Sequence, residues 1–301
     1  MTKRTKQGTY YLGRTILLAK LTKQKLGEAL KTPTSIEAGD YHWTITEFKE
    51  SKTNNENYIF GKLTKYKPKG EVDVIDVKSH TEQKKDVDNT KVASSPFVYL
   101  PEYSGIAYLH VWNQIQQDVF IRRFKELIEK KYGNFFVDCR IEAISDLATF
   151  YKKISDLSSI NYISSKVNPP NPMFGPLWRS LMDYLKKRHV NELKIEEKAR
   201  PGEEIKSNLK ELIKKVELDS LEINYTPDIA DAAILMATDG YGQGKVHGVE
   251  GNKKVVVCTS DTIKNFKFDT EPDPLKLYET ARDIFKEITE KRHMEHEEKN
   301  I

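Results

Sequence analysis

Between Thr9 and Val111 the chain is a succession of short strand-like runs cut by turn residues, and this rhythm limits its fold more than any other feature. Thr9–Leu18 is rich in Tyr, Leu, Ile and Thr and reads as a strand. Tyr41–Phe48 alternates, with Tyr41, Trp43 and Ile45 set against His42, Thr44 and Thr46, the period of a half-buried strand. Asn54–Asn55 turns the chain into Tyr58–Tyr66, and Pro68–Gly70 turns it again into Val72–Val77. His80–Lys91 is polar and of mixed charge, and is expected as an exposed loop before the strand pair Pro96–Leu100 and Gly105–Val111.

Helical spacing appears in Ala19–Leu30, stopped by Thr32–Pro33, and in Gln114–Tyr132, stopped by Gly133. A strand at Phe135–Ile141 and a helix ending near Leu157 follow. The second half has a different rhythm. A strand at Ile160–Val167 runs into Asn168-Pro169-Pro170-Asn171-Pro172, where fixed φ and missing donors forbid regular structure. Pro176–Arg188, Glu203–Val216 and Leu275–His296 are expected as helices, Glu192–Glu196 and Ile263–Phe268 as strands, and Lys245–Thr259 as a hairpin turning at Gly251–Asn252. The expected class is α+β, with mixed, mainly antiparallel sheets, packed helices and two domains, 1–157 and 158–301.

Hydrophobic residues make up 38% of the chain and charged residues 31%, enough of the first to fold and more of the second than usual. No run approaches the roughly 20 apolar residues of a membrane span, and no secretory leader follows the basic start, so a cytoplasmic location is expected. Cys139 and Cys258 cannot make a four-thiolate zinc site and are expected as buried free thiols.

Three constellations could carry chemistry. Asp239-Gly240-Tyr241-Gly242-Gln243-Gly244-Lys245 is glycine-rich, but its spacing misses a Walker loop and Val246 follows the lysine. It is either a tight connection or an anion loop using Lys245 and His247. On the run Glu71–Lys78, Asp73, Asp76 and Lys78 resemble the carboxylate-x-lysine core of a Mg²⁺-dependent nuclease site, which would need a further carboxylate such as Asp40 or Glu47. Basic residues gather at Arg4, Lys6, Arg14, Lys20, Lys23 and Lys25, and again at Arg122 and Arg123, where phosphate contact is the expected use. His293 and His296 share a helix face beside Glu297, but in a highly charged tail no metal site is expected there. Asn168–Pro172 with Trp178 and Arg179 is either a docking corner or a cap on the core.

The function expected from these features is a nucleic-acid-associated or complex-forming protein, with DNA, RNA, another protein or a second copy as partner and no membrane. A role in bacterial phage defence is an expectation of context alone. The alternative is a metal-dependent nuclease-like enzyme built on Asp76 and Lys78, the one case that implies a cofactor, Mg²⁺.

Overall fold

The computed structural model describes residues 6–53, 56–169, 173–218 and 227–296. The expected α+β class is what it shows. The first part runs β1 (Gln7–Ala19), α1 (Lys23–Lys31), β2 (Ile36–Ala38), β3 (Tyr41–Lys52), β4 (Asn57–Asp76), β5 (Thr81–Leu100), β6 (Gly105–Leu109), α2 (Gln117–Lys131), β7 (Val137–Ala143) and α3 (Leu147–Ser155). The second runs β8 (Ser159–Val167), β9 (Met173–Phe174), α4 (Arg179–Lys187), β10 (Leu193–Lys198), α5 (Leu209–Glu217), α6 (Ile229–Met236), β11 (Gly242–Glu250) and β12 (Lys253–Cys258). It ends with β13 (Asn265–Asp269), α7 (Pro274–Lys291) and β14 (Glu295–His296).

The larger sheet is antiparallel, ordered β13-β1-β6-β5-β4-β3-β2, with β7 also paired to β1. One face is covered by α1 and α2, where Phe97, Tyr108, Phe120 and Phe124 interlock. The other face is covered by α7, whose Leu277, Tyr278 and Phe285 pack on Tyr10, Tyr58 and Tyr103. The smaller sheet, β10-β8-β11-β12, is backed by α3 to α6 around Phe150, Ile163, Leu212 and Ile234.

Two expectations change. Residues 158–301 do not stay together: β13 pairs with β1 and α7 covers the first sheet, so the last strand and helix return to the first unit. The turn at Pro68–Gly70 and the loop at His80–Lys91 are instead the two strands of one long hairpin, β4 and β5, paired from Ile59↔Tyr99 out to Asp76↔Thr81 with one register shift between Lys65 and Tyr66. Pro68 is accommodated where β3 has already ended, opposite Tyr66, so no third strand asks for its missing N–H. Beyond Tyr66 the hairpin runs on alone as a two-stranded arm of about 30 Å, taking roughly 3.3 Å per residue from Lys67 to Asp76.

Candidate nucleic-acid interface

The expected basic set is not one patch. Arg4 lies outside the described residues. Lys6 and Lys20 flank opposite ends of β1, about 45 Å apart at strand rise. Arg14, between them, is fully buried. Its Nε donates to the Asp239 carbonyl at 2.8 Å and its Nη1 to the Tyr103 carbonyl at 2.6 Å, while the guanidinium lies 5.1 Å from the Tyr241 ring centre. Arg14 therefore cannot serve as a phosphate contact, and the reason is plain in the strand: Tyr10, Leu12 and Ile16, its same-face neighbours, are all core.

The glycine segment is the other half of this joint. Asp239 and Tyr241 are buried, and the Asp239 carboxylate accepts from Trp178 Nε1 at 3.1 Å and pairs with Arg292. Gly240 adopts φ 84°, and a Cβ there would press on Arg14 and Ile144. At Gly242 a Cβ would run into the Lys166 carbonyl. Gly242 and Gly244 lie in the β11 ladder opposite Val167 and Ser165, and the Gly244 N–H is taken by Thr259 Oγ1 at 3.1 Å. Asp239, Tyr241 and the Gly244 N–H are thus engaged inside the fold, the role of a tight connection. Lys245 and His247 are on the solvent face of β11, where burial and the neighbouring Lys245 lower the His247 pKa and disfavour its cation. Trp178 caps the core; Pro170, Asn171 and Pro172 lie outside the described residues.

The Asp76–Lys78 pair stands at the tip of the arm. The Asp76 carboxylate accepts from the N–H groups of Lys78 at 2.9 Å and Ser79 at 3.3 Å, and these bonds hold it below the usual carboxylate range. It fastens a turn. Asp73 faces Lys84 across the hairpin, and Glu47 is paired with Lys62 at 3.0 Å. Among the described residues no three His, Cys, Asp or Glu side chains gather to hold a metal ion, so the nuclease reading lacks its third carboxylate.

What the fold does bring together is Lys20 and Lys25 with an aromatic loop. Helix α2 ends through two successive left-handed residues, Gly133 at φ 74° and Asn134 at φ 63°, whose N–H groups cap the Lys130 and Glu129 carbonyls. The chain then passes Phe135 and Phe136 before β7 begins at Val137, opposite Ala19. Phe135 is 91% exposed and Phe136 59%. The Phe136 carbonyl accepts from the Lys20 N–H at 3.0 Å, and the Lys20 ammonium lies 5.8 Å from the Phe136 ring centre. Lys25 Nζ donates to the Lys20 carbonyl at 2.9 Å and lies 5.8 Å from the Tyr132 ring centre. Lys131 is anchored on Thr32 beside them.

The nearby acids are largely spent. Glu129 and Asp138 both pair with Lys125, and Asp138 also with Arg140. Glu28, on α1, accepts from Gln24. The ridge thus joins two exposed rings to lysines. Lys23, at the start of α1, lines an adjoining open cleft of about 570 Å³ with Lys31 and Lys52. Arg123 is held by Glu126 over the Trp43 ring, and exposed Arg122 lies further along α2, in a cleft with Arg140 and Gln243. The two phenylalanines, which the sequence pattern assigns to the start of a strand, instead precede β7. The available signal was Gly133–Asn134, which ends the helix too early for Phe135 to join the sheet.

The family model described as "Domain of unknown function (DUF4747)" matches residues 19–290. The chain belongs to that family. The match begins at the last residue of β1 and ends within α7, so the matched residues hold the smaller sheet, the arm, the Phe135–Phe136 loop and the strands of the larger sheet other than β1. No curated protein matches the chain. No helix among the described residues is long and apolar enough to cross a membrane.

Proposed function

We propose that this protein binds single-stranded nucleic acid on the ridge formed by Phe135, Phe136, Lys20 and Lys25. The observation that carries the reading is the pair of adjacent exposed phenylalanines held beside Lys20 by a backbone bond. Exposed rings offer faces on which bases stack, worth about 1–3 kcal/mol per base, and lysines alongside supply phosphate contacts. A duplex hides its base faces, so unpaired strands are the fitting partner. No residue here is asked to do chemistry.

Fluorescence anisotropy with labelled single-stranded RNA, single-stranded DNA and a matched duplex, across a salt series, tests this. Single strands should bind more tightly than the duplex, and affinity should fall with salt. Phe135→Ala/Phe136→Ala should weaken binding at least about tenfold without changing the circular dichroism spectrum or the melting temperature. Wild-type protein that fails to bind at low salt, or a double variant that binds as well as wild type, would overturn the reading.

A further inference from the structure

The arm has no role in the ridge, and its charge suits a different partner. Residues 67–91 carry six lysines and six aspartates and glutamates, so the arm as a whole offers no net attraction to phosphates. The signs are ordered, however. Along the free edge of β4, Lys67 and Lys69 come first, then Gly70, then Glu71 and Asp73, and all four charged side chains are exposed. Lys67, Lys69, Glu71 and Asp73 are alternate residues of one strand and share a face. Among the described residues β3 accompanies β4 only as far as Tyr66, so this edge has no neighbour.

From this order we infer that two copies of the chain associate by laying their β4 arms antiparallel about Gly70. A two-fold interface is self-complementary, since each residue meets its counterpart's partner. Antiparallel strands place same-facing residues opposite each other, which restricts the choice of register to steps of two. With Gly70 opposite Gly70, Lys67 meets Asp73 and Lys69 meets Glu71, each twice, giving four opposite-sign pairs. Moving the axis to Lys69 or to Glu71 sets like charges against each other at the axis itself, which costs stability.

A second observation agrees. Within one hairpin Glu71 lies directly across from Asp86, an unfavourable acidic pair served by Lys84, which reaches Glu71 at 3.0 Å. A partner's Lys69 arriving at Glu71 would relieve it. Proline is a residue that discourages indiscriminate strand addition, and with Pro68 beside Lys67 and Lys69 the charge order is what selects the partner.

The test is the oligomeric state of the full chain, without nucleic acid, by sedimentation velocity over a concentration and salt series. Wild type should dimerise, less so at high salt. Lys67→Glu/Lys69→Glu makes the edge wholly acidic, and Glu71→Lys/Asp73→Lys makes it wholly basic. Each variant alone should dimerise at least about tenfold more weakly, since like charges now face each other. Mixed, the two should form a heterodimer. Monomeric wild type, dimers that persist in either variant, or a mixture that stays monomeric would each overturn the inference. The substituted residues are exposed, so loss of folding, checked by melting temperature, is not expected.

Discussion

Strand β1 feeds two regions of opposite character. Midway along it, Arg14 enters a closed joint where Asp239, Tyr241, Trp178 and Arg292 come from three distant parts of the chain. Just past its end, Lys20 stands on the surface against Phe136. The same kind of side chain does two jobs. In the joint, charge is desolvated, so each cation needs an acceptor and the geometry is fixed by hydrogen bonds. On the ridge, charge stays in water and the rings are the groups left without cover. The lesson is that in this protein the buried cations hold the two sheets together, while the exposed ones are available to a partner.

The sharpest way to break this comparison is to remove the joint's carboxylate. Asp239→Ala leaves Arg292 without its counter-charge and Trp178 Nε1 without its acceptor in the interior and should destabilise the fold by about 3–5 kcal/mol, read by urea denaturation. A loss no greater than that of an exposed ion pair would place the joint in water. On the ridge the same measurement should show almost nothing for Phe135→Ala/Phe136→Ala, and the change should appear instead as weakened binding of single strands, about 1–3 kcal/mol for each base that loses its platform.

A smaller effect is expected at Asp146, which caps α3 through the Thr149 N–H at 3.0 Å and accepts from Lys264 Nζ at 2.8 Å. Burial alone would raise its pKa, but the bonds from Lys264 and Thr149 outweigh it and bring the group down to about 2. A depressed folded pKa gives stability that is present above the unfolded value near 4 and is lost as pH falls toward about 2. Asp146→Ala should therefore cost about 1 kcal/mol at neutral pH, and less as the pH drops through that window, in denaturation curves taken at several pH values. The smallest test is chemical. Burial, followed by Glu129 and Asp138, pushes the Cys139 thiol up to about 12, whereas Cys258 is only half-buried. A thiol reagent applied to the native protein should label Cys258 first, and rapid modification of Cys139 would show that the α2 side of the sheet opens.

Much of the fold was legible because its signals are local. The alternation from Tyr41 to Phe48 gave β3, the spacing of Phe120, Phe124, Leu127 and Ile128 gave α2, and Gly251–Asn252 gave the last hairpin. The arm was not legible, since Pro68 and Gly70 carry the chemistry of a turn and only the pairs Lys67↔Thr90, Lys69↔Asp88 and Gly70↔Val87 show them to be within a strand. Of the candidate residues, Lys20 and Lys25 took up surface positions, whereas Arg14 did not. Its charge suggested solvent, but its place in the alternation Tyr10, Leu12, Arg14, Ile16 pointed inward, and the pattern outranked the residue type. The glycine segment was ambiguous for a different reason: what fills the space around Gly240 and Gly242 comes from Arg14 and Lys166, far away in sequence.

The return of β13 and α7 to the first sheet has a consequence for how the protein is made. The Tyr10 hydroxyl donates to the Asp269 carbonyl, 259 residues later, and α7 is the cover for one whole face of the larger sheet. During synthesis the smaller sheet can be completed while β1, already paired with β6 and β7, still lacks β13 and that face is still open. The emerging chain must therefore carry a long, tyrosine-rich surface unsealed until α7 leaves the ribosome, which makes the synthesis of that helix the step at which a folding helper, or a stop before it, would have the greatest effect.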